Sequence, residues 1–158
     1  MMMEKRTSRQ VMNDYDKYVM HSFVKSLQPI VVASAKGATV TDLDGKTYID
    51  CFSGISVVNA GHCNPKVVEA VKQQVEKLIH CCTYVYYNTP ATDLAKKLAE
   101  ITPEGLQKTF FCNSGAEAVE TALKVGRKFS GKHEIIALMC SFHGRTLGTL
   151  SVTGQAGR

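Results

Sequence analysis

The chain reads as an α/β fold, and three observations predict it. A short apolar run at 108–112 precedes a capped helical pattern over 115–129, and a second apolar run at 134–140 follows, the strand–helix–strand order of a βαβ unit. Upstream, the stretches 39–43 and 46–50 flank Asp44-Gly45, a hairpin signal whose two central positions want positive φ. With 44% hydrophobic and 21% charged residues in 158, the composition is that of an ordinary globular domain, long enough for a core.

The elements follow in order. Residues 8–24 form an irregularly amphipathic arm, with Val11, Tyr15, Tyr18, Val19 and Phe23 as contacts for a neighbouring surface. The hairpin belongs to a meander. Asn64 caps a helix with Pro65 at its first position and Val68, Val71, Val75 and Leu78 on one face, which predicts a core behind that face. A second helix, from about Pro90 to Ile101, aligns Leu94, Leu98 and Ile101 and stops before Thr102-Pro103. The βαβ unit comes next, with 134–140 as a buried strand. Residues 146–152 suit either a strand, by their β-branched side chains, or a short helix. Three segments result: an arm at 1–28, a meander at 29–64 and the start of a larger domain at 65–158.

Several function classes are excluded. The formal charge of +5 is scattered, without a basic run or aromatic interleaving, so no nucleic-acid partner is expected. The first nine residues are polar with no secretory apolar core after them, and the longest apolar run, 135–140, is far below the roughly 20 residues that cross a bilayer. A cytoplasmic protein without a membrane partner is the expectation. Six cysteines without a CxxC pair read as free, buried thiols. His62-Cys63 and His80-Cys81-Cys82 are adjacent residues that do not suit one tetrahedral zinc, so no metal is expected. Gly45-Lys46-Thr47 mimics the end of a P-loop, but position 40 is Val where that motif needs Gly.

The chemistry concentrates near the βαβ unit. Ser114-Gly115-Ala116-Glu117 matches a capping box at the carboxyl edge of a strand, where open α/β folds bind ligands. Gly115 and Ala116 keep the backbone bare, and the first free N–H groups of the helix suit a phosphate. Phe142, leaving the next strand, offers a stacking face to an aromatic ring. His143 can take part in proton chemistry or hydrogen-bond a bound ring. Arg145 presents a planar fork for a carboxylate.

Asn113-Ser114-Gly115-Ala116-Glu117-Ala118, Phe142-His143-Gly144-Arg145-Thr146, Gly54-Ile55 and Ala60-Gly61-His62 together resemble the class-III pyridoxal-phosphate aminotransferases, from about Pro29 to Arg158. The resemblance implies a fold-type-I transferase, of which this would be the N-terminal part: a small-domain meander plus the first βαβ of the large domain. It implies pyridoxal 5'-phosphate as cofactor, with its phosphate held at Ser114, Gly115 and Ala116 and its ring stacked on Phe142 beside His143. It further implies a substrate carboxylate at Arg145, a pocket wall at Ile55 that often lies across a homodimer interface, and a short helix at 146–152. The substrates would be an amine or ω-amino acid and a 2-oxo acid.

Members of that family are more than twice this length, and their Schiff-base lysine and the aspartate at the pyridine nitrogen lie beyond the matched part. No lysine here matches the former. Lys124 reads as a solvent-facing helix residue, and Tyr84, Tyr86 and Tyr87 are given no role. No catalytic residue is therefore assigned, and the chain is expected to be inactive alone. It would be half of a split enzyme completed by a C-terminal chain, an inactive remnant, or an interaction module; a bare phosphate-binding module ranks last, since it needs neither Phe142 nor Arg145.

Overall fold

The computed structural model describes residues 6–21 and 27–154, so Phe23 and Val24 of the expected arm lie outside the described residues. The chain divides into two compact units, Met1–Cys81 and Cys82–Arg158. The first carries helix α1 (Ser8–Tyr18), strands β1 (Val32–Lys36), β2 (Thr39–Asp42) and β3 (Thr47–Ile49), the single turn α2 (Ser53–Ser56) and helix α3 (Pro65–Lys77). The second carries α4 (Thr89–Ile101), α5 (Gly115–Ser130) and α6 (Leu147–Ser151).

In the first unit the strands form an antiparallel meander in the order β1-β2-β3. The register pairs Ala35 with Val40 and Thr41 with Thr47, with a bulge between Val32 and Ser34. The hairpin forms where expected, but its turn differs. Gly45 N–H donates to the Asp42 carbonyl at 3.1 Å and Asp42 N–H to the Lys46 carbonyl at 2.9 Å, so three residues close the loop and only Gly45, at φ 87°, takes positive φ. A type I turn with a glycine bulge replaces the two-residue turn because the Asp42 carboxylate rewards it. That carboxylate accepts from Asp44 N–H, Lys46 N–H and the Tyr48 hydroxyl at 3.1, 2.8 and 2.8 Å. Desolvation, the largest single influence, pushes the Asp42 carboxyl upward, yet those hydrogen bonds together hold it below the usual carboxylate range.

Asp50 organises the segment after the sheet. One of its oxygens accepts from Phe52 N–H and Ser53 N–H, both at 2.9 Å, and the other lies 2.6 Å from His62 Nε2. The His62 contact, then the two amides, hold its carboxyl below the ordinary range. Between these anchors α2 is left-handed, with φ of 50°, 60°, 64° and 60° at Ser53, Gly54, Ile55 and Ser56. A β-branched residue there is strained by about 1–2 kcal/mol. Strain of this kind marks functional segments.

The helices start as their caps require. Asn64 accepts from Lys66 N–H at 3.0 Å and Asn88 from Ala91 N–H at 2.9 Å. Thr146 and Thr149 form a reciprocal capping box on α6, so 146–152 is the short helix that the resemblance implies.

Two expectations fail for one reason. Neither 108–112 nor 134–140 is a strand, and the two exchange no backbone hydrogen bond. Strands exist only against neighbours, and the described residues of this unit contain no strand to pair with either. The segment 134–140 is also exposed rather than buried, with Ile136 at 99% and Met139 at 90% accessible. Likewise the valine face of α3 meets no core: Val71 and Val75 stay exposed, and no apolar side chain among the described residues is fully buried. The six cysteines are not buried as expected: four are exposed and two half-exposed.

Candidate functional site

The site assembles within the second unit, at the N-terminal end of α5. Ser114, in extended backbone before the helix, accepts from Glu117 N–H at 3.2 Å. Glu117 reaches back one residue further than a capping box requires and accepts from Asn113 N–H at 2.6 Å. Two donors are thereby satisfied. The Gly115 and Ala116 N–H groups make no hydrogen bond among the described residues, and a Cβ built on Gly115 meets nothing within 4 Å. Two bare donors at the positive end of a 16-residue helix are what an anion needs.

A cleft of about 610 Å³ opens in front of them, with Gly115, Ala116 and Val119 on one wall and residues 142–146 on the other. Of the sequence-predicted site residues, Gly115, Ala116, Phe142, His143 and Arg145 share this cleft, and Ser114 adjoins it as the cap. Ile55 belongs to the first unit, on the left-handed turn. Phe142 is 47% accessible as a residue, and the Arg145 guanidinium carbon lies 5.3 Å from its ring centroid, a cation–π contact worth about 0.5–1 kcal/mol. The fork and the stacking ring are thus neighbours. His143 N–H donates to Thr153 Oγ1 at 3.1 Å, which fixes the loop backbone beside it. Lys124 is exposed on α5, and no lysine among the described residues lines the cleft.

What holds the second wall in place escaped the sequence reading. Gly144 is buried at φ +130°, and a Cβ there would sit 2.8 Å from Ala116 Cβ and 2.7 Å from Thr149 Oγ1. Only glycine lets the loop approach the helix end this closely. Thr149, fully buried, lies 2.8 Å from Thr146 Oγ1 and accepts from Thr146 N–H at 3.0 Å. The Glu120 carboxylate on α5 accepts from the Thr146 hydroxyl and Gly148 N–H, at 2.5 and 3.0 Å. Thr-x-x-Thr at 146–149 was a legible helix-start signal; the link to Glu120, 26 residues away, had none.

The class-III aminotransferase family model matches residues 21–158. An acetylornithine aminotransferase of Methanopyrus kandleri is 51% identical over 138 residues, 87% of this chain and 35% of that protein. One of Methanocaldococcus jannaschii is 52% identical over 131 residues, 79% of this chain and 32% of its own length. Among solved structures, the taurine:2-oxoglutarate aminotransferase of Bifidobacterium kashiwanohense, in complex with PLP and glutamate, is similar with a TM-score of 0.89 and 33% identity, over 98% of this chain and 35% of that one. The chain spans about a third of the length of the relatives it matches. With nearly all of its residues covered by the family model, this chain belongs to the class-III aminotransferases, a pyridoxal-phosphate-dependent family.

Proposed function

We propose that this chain supplies the phosphate-holding and ring-holding part of an aminotransferase site that moves an amino group from an amine or ω-amino acid to a 2-oxo acid. The observation that carries the reading is the single cleft joining two unpaired helix N-terminal donors, an accessible phenyl face and a guanidinium. The residues fit pyridoxal phosphate: the Gly115 and Ala116 N–H groups suit its phosphate, and Ser114 keeps the helix end open by capping it. Phe142 would flank the ring, and Arg145 would orient a substrate carboxylate beside it. When bound, the cofactor supplies the electron sink for chemistry at the amine carbon. The names of the curated relatives favour an acetylornithine-type ω-amino acid as donor.

A Schiff-base lysine must come from outside the cleft wall described, since none of the described lysines lines it. The chain alone is accordingly inactive, and either further polypeptide or a complementing second chain completes the site. The complete protein is a homodimer with Ile55 in a substrate pocket, and six cysteines without a CxxC pair suit the reducing cytoplasm.

The test is the affinity of the complete protein for pyridoxal phosphate, followed by absorbance. Phe142→Ala is expected to weaken it about fivefold to tenfold through loss of stacking and apolar contact. Binding that is unchanged by this substitution would remove Phe142 from the site.

A further inference from the structure

We propose that Glu120 is the positioning residue that clamps the 142–146 loop onto the phosphate-holding end of α5; the inference rests on the aminotransferase reading above. Glu120 does not line the cleft, so it acts through other groups. It lies one turn beyond Ala116, at i+4, and therefore on the same face of the helix. From there a single carboxylate oxygen, Oε1, accepts from both the Thr146 hydroxyl and the Gly148 amide. Those donors are the cap and second residue of α6, whose N-terminal end favours a negative charge.

The contact is shaped on both sides. A Cβ at Gly148 would fall 2.4 Å from Glu120 Oε2, so position 148 has room for the carboxylate only because it is glycine. Thr146 is at once the residue Glu120 binds and the end of the cleft wall that carries Phe142, His143 and Arg145. Pulling Thr146 toward Glu120 presses Gly144 against Ala116, the contact that leaves no space for a Cβ. The same hydroxyl bond, the largest influence, holds the Glu120 carboxyl below its ordinary range against desolvation, so the accepting form is the ionised one. One side chain thus sets the distance between the phosphate donors and the ring-stacking face.

The test uses the complete protein that carries this segment, with pyridoxal phosphate as ligand, and reads both its dissociation constant and the visible circular dichroism of the bound ring. Glu120→Ala is expected to weaken binding about tenfold and to diminish the visible band, because two charge-assisted hydrogen bonds are lost. Glu120→Gln keeps an oxygen acceptor for both donors and is expected to stay within about threefold of the unsubstituted protein. If Glu120→Ala does not fold, Glu120→Asp, one methylene too short to reach Thr146, carries the same expectation. Wild-type affinity and dichroism in Glu120→Ala, with only a lower melting temperature, would overturn the proposal and leave Glu120 a stability residue. So would a Glu120→Gln defect as large as that of alanine. If the unsubstituted protein does not bind the cofactor, the aminotransferase reading fails instead. The clamp is then decided by amide hydrogen exchange at Gly148, whose N–H donates to Glu120, faster in Glu120→Ala if it exists and unchanged if it does not.

Discussion

The isolated 158-residue polypeptide is expected to give no cooperative calorimetric transition and to bind a dye for exposed apolar surface such as ANS. Fully burying a valine, leucine or phenylalanine contributes about 1.5–3 kcal/mol, while ordering each residue costs about 1–2 kcal/mol of backbone entropy. Among the described residues no apolar side chain reaches full burial, so the first term stays small while the second does not. Phe110, Ile136, Leu138 and Met139 are at least 74% accessible, on two segments whose backbone lacks strand partners. Exposed apolar backbone of that kind associates with other chains. A sharp endotherm from a monomer without dye binding would show that the chain builds a core by itself.

The same absence separates what could be read in the sequence from what could not. Caps, proline positions and glycine signals are local, and so the starts of α3 and α5 were legible at Asn64 and Ser114, and that of α4 to within a residue at Pro90, though its cap Asn88 was not read. Strands are not local properties. The runs at 108–112 and 134–140 have strand composition, but their hydrogen bonds and burial depend on neighbours that the described residues do not supply. The hairpin shows a third case: Asp44-Gly45 marked its place, but the Asp42 carboxylate, by binding two amides and Tyr48, chose a longer turn. In the candidate site, the Ser114-capped end of α5 and the Phe142–Arg145 segment were visible as motifs. The clasp behind them depends on Gly144, Gly148, Thr149 and Glu120 meeting across two elements, and no spacing rule encodes that meeting.

Gly144→Val is expected to lower pyridoxal-phosphate affinity of the complete protein by about 100-fold, the largest single-residue effect outside the cofactor contacts themselves. A left-handed-side φ held by a β-branched residue costs about 1–3 kcal/mol, and overpacking adds about 1–3 kcal/mol more. The neighbours cannot yield cheaply, because Ala116 Cβ is fixed to the helix and Thr149 is fully buried in its own hydrogen bonds. Relief comes only by moving the loop off the helix end, which separates Phe142 from the Gly115 and Ala116 donors. Gly126→Ala is the matched control: it lies on the same helix with nothing within 4 Å of the new Cβ, and should stabilise slightly. Equal cofactor affinity in Gly144→Val and Gly126→Ala would mean that the close approach has no bearing on binding.

The most direct measurement is a crystal structure of the complete protein with pyridoxal phosphate bound. Phosphate oxygens are expected about 2.7–3.2 Å from the Gly115 and Ala116 amide nitrogens, with the pyridine ring against Phe142 and Glu120 still bound to Thr146. A phosphate seated elsewhere, with the Gly115 and Ala116 amides facing water, would contradict this placement.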